Sequence, residues 1–165
     1  MTLLAHDAER GARLVEDDPW LDLSDETPLP SHGDVVVPLA RLADVVEAPG
    51  RLAARVDGAS DPELLAPHLH RLALIVVEIP KFTDGRAYSL ARLLRSRHGY
   101  RGELRAVGYV LRDQLFYLWR CGFDSFALAP GKDPADALAA FTEWSVTYQP
   151  AEDHDVPIWR RRRAG

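Results

Sequence analysis

Charged and polar side chains cluster in two segments that each follow an apolar run of strand length. The first segment contains Lys81, Thr83, Asp84 and Arg86, and the second spans residues 102–115. Ligands of α/β proteins bind where strand ends and helix N-termini converge. Lys81 and Arg86 place two positive charges beside a helix N-terminus that is itself partly positive, and a bound anion would offset the resulting repulsion. The pattern therefore predicts a site for sulfite, sulfate, phosphate or a carboxylate.

A purely structural interpretation of the first segment stays open. The side chain of Thr83 or Asp84 is suited to cap a helix that begins near Arg86, and such a cap contributes about 1 kcal/mol. Asp84 is also close enough in sequence to pair with Arg86. Under this interpretation the loop needs no ligand.

The second segment contributes Arg105, Arg112, Asp113 and Gln114 to the candidate site. Arg105 lies within a strand, so it either reaches the end of the sheet or pairs with an acid such as Glu103 or Asp113. Arg112 and Asp113 fall in the first turn of the next helix, where the dipole favours Asp113 and disfavours Arg112. Gln114 falls within an apolar stripe, so we expect its amide to hold a loop or a ligand.

Other catalytic and cofactor patterns are missing from the sequence. Cys121 lies near a predicted helix C-terminus, which does not activate a thiol, and we expect a buried, inert cysteine. No histidine occurs in residues 99–153 to serve as a base, and the histidines elsewhere lack metal-site spacing. No G-x-G-x-x-G or P-loop motif occurs. We therefore expect no metal and no nicotinamide, flavin or nucleotide cofactor.

The charge distribution separates the acidic start of the chain from its basic middle. The 165 residues carry a net charge of -5, with eleven acids and three bases in residues 1–50 and three acids and nine bases in residues 81–120. The basic segment suits an anion or an acidic partner, or the two segments simply neutralise one another. No nucleic-acid or membrane partner is expected. The single cysteine excludes an intramolecular disulfide, and we expect a cytoplasmic protein.

The hydrophobic pattern predicts an α/β fold built from repeated βα units. Strands are expected over 51–56, 72–77, 103–107 and 126–128. Helices are expected to start at Asp61, to cover 86–97 and 110–120, and to start again at Asp133. These units predict a small parallel sheet of about four strands, either half-barrel-like or open. They lie within a single predicted domain, residues 35–150.

Two terminal segments flank this predicted domain. Residues 1–34 are expected to form an irregular N-terminal arm with one short strand near 13–15. Residues 34–40 are ambiguous between a strand and the entry to a helix. Residues 151–165 form a C-terminal tail, and its arginine-rich end is expected to be disordered, with a nucleic-acid arm as the minor alternative.

Three motif blocks resemble a bacterial family of unknown function. They read IPKFTDGRAYSLARLLR at 79–95, GELRAVGYVLRDQL at 102–115 and RCGFD at 120–124. The chain departs from the family pattern at Tyr109, where a small polar residue is usual, and at Ile79, where an aromatic residue is usual.

The resemblance implies a role in sulfur assimilation. Members are often labelled oxidoreductases of sulfite reduction, because their genes lie beside those of assimilatory sulfite reductase. The resemblance thus implies an accessory protein of this pathway that binds a small oxyanion or a component of the reductase system. An oxidoreductase acting directly in sulfite reduction, and a purely structural or assembly protein, are the alternatives.

Overall fold

Short apolar runs along the chain form eight strands in the computed structural model, which describes residues 2–7, 9–153 and 157–161. The strands are Leu3–Asp7 (β1), Gly11–Val15 (β2), Trp20–Asp22 (β3), Asp34–Pro38 (β4), Leu52–Asp57 (β5), Leu72–Ile79 (β6), Glu103–Gly108 (β7) and Ser125–Ala127 (β8). The α-helices are Arg86–Ser96 (α1), Arg112–Arg120 (α2), Pro134–Ala139 (α3) and Ile158–Arg161 (α4). Short 3-10 helices cover Leu39–Arg41, Pro62–Leu64, Ala66–Arg71 and Ala140–Thr142.

All eight strands belong to one sheet in the order β2-β1-β8-β7-β6-β5-β4-β3. Strands β3 to β8 run parallel to one another, whereas β1 is antiparallel to both β8 and β2. The α/β class is confirmed, but the expected number of about four strands is too low. The difference arises largely in the segment expected to be an irregular arm, which supplies β1, β2 and β3.

The linker between β2 and β3 requires the sheet to curl into a half-barrel. The two strands occupy opposite edges, seven strand intervals apart, which is about 34 Å along the sheet at about 4.8 Å per interval. The chain from Val15 to Trp20 has only five Cα–Cα steps and reaches at most about 18 Å. The edges must therefore approach one another, and the linker crosses the concave face of the sheet.

The convex face of the sheet carries the main hydrophobic core. The apolar stripe of α1 is buried there, as the helical spacing predicts, and Leu115 and Leu118 of α2 are also fully buried. Burial of each leucine contributes about 1.5–3 kcal/mol. β6 is apolar on both faces because its alternate residues Leu74 and Val76 join a second, smaller cluster.

The concave face is formed by this second cluster of small apolar residues together with several charged ones. Its buried apolar members come from six strands and are Leu3, Val36, Ala53, Leu74, Val76, Val107 and Ala127. None of these residues belongs to a helix. The linker between β2 and β3 and the start of β3 cover part of this face, and the rest is open to a ligand or partner.

Local signals in the sequence position most element boundaries. Asp61 and Asp133 each accept a hydrogen bond from the backbone N–H two residues later, and each precedes a proline at the first helical position. The ambiguous segment 34–40 forms a strand, β4, followed by a 3-10 turn. Among the described residues, no helix has both the length and the apolar composition needed to cross a bilayer. Arg162–Gly165 of the predicted tail lie outside the described residues.

Candidate functional site

A cavity of about 350 Å³ opens on the concave face toward the carboxyl ends of β5, β6 and β7. Parallel sheets place ligands at this end of their strands. The cavity combines apolar walls with five ionisable side chains. Its lining residues are Asp18, Trp20, Asp22, Val36, Arg55, Val76, Glu78, Arg105, Val107 and Gly108.

Strand register explains why these charged side chains share one face. Val76 of β6 pairs with Arg55 of β5 on one side and with Arg105 of β7 on the other. Residues in register on neighbouring strands point to the same face, so both arginines flank Val76 on the concave side. Glu78 follows Val76 by two residues and therefore points to the same face, nearer the carboxyl end.

Arg105 is a buried charge that is fully engaged by neighbouring groups. Its side chain is 6% exposed. The guanidinium donates to Asp18 at 2.7 Å, to Glu103 at 3.0 Å and to the Ser125 hydroxyl at 3.2 Å. A buried cation needs such partners, because an unpaired one is strongly destabilising. The predicted pairing with Glu103 is confirmed, and Asp18 is a further partner that the sequence pattern did not indicate.

Arg55 is less completely engaged than Arg105. One terminal nitrogen of its guanidinium pairs with Asp22. The Nε–H group is buried and has no acceptor within the described part of the chain. A guanidinium carries five N–H donors, so a single carboxylate leaves donors available to a ligand.

Glu78 is the remaining ionisable residue of the cavity. Its side chain is exposed, and the described residues provide neither an ion-pair partner nor a hydrogen-bond donor for its carboxylate. The cavity therefore presents one free carboxylate near a guanidinium with a free donor.

A second cavity of about 310 Å³ adjoins the first near the amino ends of β7 and β8. Asp18, Trp20 and Arg105 line both cavities, so the Asp18–Arg105 ion pair lies between them. The second cavity also includes Glu103, already bonded to Arg105, and Arg51, whose guanidinium lies 4.9 Å from the Trp20 ring centre. The linker between β2 and β3 thus forms a common wall of both cavities.

The first predicted segment forms a short-range ion pair outside this cavity. Arg86 donates to Asp84 at 2.9 Å and 2.6 Å, and these bonds together with the backbone N–H of Arg86 lower the pKa of Asp84 to about 2. Gly85 occupies the N-cap position of α1 and has no side chain to cap the helix, but the Asp84 carboxylate one position earlier accepts the backbone N–H of Arg86 at 3.2 Å, as predicted. Lys81 and Thr83 are exposed. The alternative of an Asp84–Arg86 pair is therefore confirmed, and anion binding by this loop stays a prediction.

The second predicted segment is divided between different environments. Arg112 donates to Asp136 at 2.9 Å and also pairs with Glu143, so α2 is tied to the region of α3. Gln114 is buried, and its side-chain oxygen accepts the backbone N–H of Leu111 at 2.9 Å, so it holds a loop. Asp113 is exposed in the first turn of α2. Of the eight predicted site residues, only Arg105 lines the cavity.

Sequence patterns missed most of the cavity residues because their partners are distant in the chain. Arg55 and Arg105 share one signal, an arginine within an otherwise apolar strand, and such a residue requires a partner. Trp20 and Asp22 lie in a three-residue strand without a usable periodicity. Nothing local to Glu78 indicates that it faces Arg55.

Cys121 is a buried free cysteine. Burial raises the pKa of its thiol. The thiolate is the nucleophilic and redox-active form of cysteine, so this environment disfavours reactivity. The expectation of a buried cysteine is confirmed.

Comparison with known proteins places the chain in a family. The family described as "Bacterial protein of unknown function (DUF934)" matches residues 53–159, which include Arg55, Glu78 and Arg105. No curated protein matches the sequence significantly. Because the family match covers more than half of the chain, this protein belongs to the DUF934 family of bacterial proteins of unknown function.

Proposed function

We propose that this protein is an accessory protein of assimilatory sulfite reduction that binds a small oxyanion in the concave-face cavity. The pathway comes from the motif resemblance at 79–124. The binding role rests on one observation: the Arg55 side chain lines the cavity, is 34% exposed and pairs with only the Asp22 carboxylate among the described residues, so its guanidinium keeps N–H donors for a ligand. An oxyanion in the cavity would accept from these donors, and charge-assisted bonds to a guanidinium are among the stronger hydrogen bonds in proteins.

The dimensions of the cavity support a small ligand. Ligand pockets in proteins range from about 300 to 1,000 Å³, and this cavity of about 350 Å³ lies near the lower limit. Its walls of Val36, Val76 and Val107 exclude water from one side of the ligand. In such a setting a charged hydrogen bond is stronger than in water. A compact metabolite therefore suits the site better than a nucleotide or a polymer.

A reductase partner that docks on the carboxyl-end loops is a second candidate function. Phe82 follows β6 and Tyr109 follows β7, and both side chains are about half exposed. The backbone N–H of Tyr109 bonds the Ile79 carbonyl at 2.7 Å, so the two loops lie side by side. Exposed aromatic residues are typical of a protein interface.

Direct oxidoreductase activity is the third alternative, and it has a simple test. The raised pKa of Cys121 argues against thiol redox chemistry at that residue. The purified protein is expected to be colourless. A flavin, haem or iron–sulfur absorption band would favour the oxidoreductase alternative over the accessory role.

Thermal unfolding with different anions tests the binding role. Sulfite, sulfate and phosphate are each compared with chloride at matched ionic strength. A ligand at about 100 times its Kd stabilises the folded state by about 2.7 kcal/mol, which raises the Tm by about 5–10 °C for a chain of this size. Arg55→Gln should abolish this increase. Arg92→Gln, which removes an exposed arginine from α1, should preserve it. Equal melting temperatures in all four anions would contradict oxyanion binding.

Growth of a deletion strain tests the pathway separately from the ligand. The strain should grow normally on cysteine and poorly on sulfate or sulfite as sole sulfur source. Complementation with the wild-type chain should restore growth, and complementation with Arg55→Gln should not. Normal growth of the deletion strain on every sulfur source would remove the pathway assignment. Co-purification with reductase subunits that is lost in a Phe82→Ala, Tyr109→Ala variant would favour the docking alternative.

A further inference from the structure

The charges that line the 350 Å³ cavity do not balance. Three carboxylates, Asp18, Asp22 and Glu78, face two guanidiniums, Arg55 and Arg105. Asp18 pairs with Arg105, and Asp22 pairs with Arg55. Among the charged residues that line this cavity, Glu78 is the one without a counterion in the described part of the chain. A ligand that carries only negative charge would bring a second anion close to Glu78.

Glu78 is also placed to contact the same ligand as Arg55. Arg55 is in register with Val76, and Glu78 occupies the next position of β6 on the same face. The Cα atoms of such diagonal neighbours lie about 8 Å apart. Both side chains are long and line one cavity, so both are within reach of a molecule only a few bonds long.

We infer that the ligand is a small zwitterion, an amino acid or an aminosulfonate. Its carboxylate or sulfonate accepts from the guanidinium N–H groups of Arg55 that Asp22 leaves free, and its ammonium group donates to Glu78. The short apolar part of the molecule lies against Val76 and Val107. This inference rests on the proposed function and narrows the class of oxyanion that the cavity binds.

Matched probes separate the contributions of the two charged ends. The zwitterions taurine and L-alanine are titrated into the purified full-length protein by isothermal calorimetry. Ethanesulfonate lacks the ammonium group of taurine, and ethylammonium lacks the sulfonate. At least one zwitterion should bind at least about tenfold more tightly than both single-charge probes. Equal affinity for taurine, L-alanine and ethanesulfonate would overturn the inference.

Variants of Glu78 give a second, opposite-signed test. Glu78→Gln should weaken zwitterion binding at least about tenfold, and it should leave ethanesulfonate binding unchanged or improved because a repulsive charge is gone. Glu47→Gln removes an exposed carboxylate outside the cavity and should change neither affinity. Unaltered zwitterion affinity in Glu78→Gln would contradict the role of Glu78. An unchanged fold is checked by thermal unfolding.

Failure of this inference is distinguishable from failure of the proposed function. If sulfate or ethanesulfonate binds in an Arg55-dependent manner and neither zwitterion binds more tightly, the zwitterion inference is wrong and oxyanion binding stands. If no probe binds at millimolar concentration and no anion raises the Tm, both are wrong.

Discussion

Arg105 of β7 and Asp18 of the linker between β2 and β3 form an ion pair of 2.7 Å, although 87 positions separate them in the chain. The contact attaches the linker to the centre of the concave face. It also forms part of the wall between the two cavities. The Asp18–Arg105 ion pair therefore both holds the linker against the concave face of the half-barrel and shapes the candidate site.

Substitution of Asp18 should therefore destabilise the protein. Asp18→Asn leaves the buried Arg105 guanidinium without one charged acceptor, and we expect the free energy of unfolding to fall by about 1–3 kcal/mol. Urea denaturation followed by circular dichroism measures this change. Asp17→Asn, which removes the same charge from an exposed neighbour, should change stability by less than about 0.5 kcal/mol. Equal effects of the two substitutions would show that the ion pair contributes nothing specific.

Arg95 is expected to be the most sensitive arginine of α1. It donates to the carbonyls of Tyr100, Gly102 and Gly122 at 2.8–2.9 Å and to Asp124 at 2.5 Å, so it joins all three motif blocks. Arg95→Ala should cost about 3 kcal/mol or more, because these acceptors lose a common donor.

Two companion variants make the Arg95 measurement interpretable. Arg95→Lys keeps the charge but cannot reproduce the fork geometry of a guanidinium, and it should give an intermediate loss of stability. Arg92→Ala removes an exposed arginine from the same helix and should change the unfolding free energy by less than about 0.5 kcal/mol. A loss below about 1 kcal/mol for Arg95→Ala would contradict this role.

Gly108 is expected to tolerate no side chain at the end of β7. Its φ is +90°, and an added Cβ would lie 2.5 Å from the Ile79 carbonyl oxygen of β6. Gly131 is the matched control, because its φ is also positive, at +76°, but no atom lies near its added Cβ. Gly131→Ala therefore measures only the backbone cost of a side chain at positive φ, about 1–2 kcal/mol. Gly108→Ala should cost at least about 1 kcal/mol more, because the two strand ends must separate. Similar losses for both variants in urea denaturation would show that the strand ends adapt freely.

The carboxyl group of Asp84 should titrate near pH 2. Hydrogen bonds from Arg86 lower its pKa from 3.8 to about 2. The ionised form is favoured in the folded state, so the stability it adds is present above pH 4 and is lost as the pH falls toward 2. Carbon-13 NMR of the side-chain carboxyl measures the midpoint. Arg86→Ala should raise the pKa toward 3.8, whereas Lys81→Ala should have a much smaller effect. A midpoint unchanged by Arg86→Ala would show that the pair does not exist in solution.

Elements with local signals can be predicted from the amino-acid sequence alone. The apolar run of β6, the helical stripe of α1 and the caps at Asp61 and Asp133 each depend on residues within one or two turns of chain. Their positions were accordingly predicted within a few residues. The same holds for the Asp84–Arg86 pair, which spans two positions and was one of two alternatives that the sequence left open.

Contacts between residues that are distant in the chain depend on how the whole domain folds. Strand β1 joins the sheet through hydrogen bonds to β8, far along the chain, and β2 joins it only by pairing with β1. No periodicity within five residues indicates the partner of β1. Arg112 pairs with acids 24 and 31 positions away, and Arg55 and Glu78 share a cavity through strand register. Ion pairs and cavities depend on strand order and on the curl of the sheet. These are set by packing of the whole domain, which local sequence patterns do not encode.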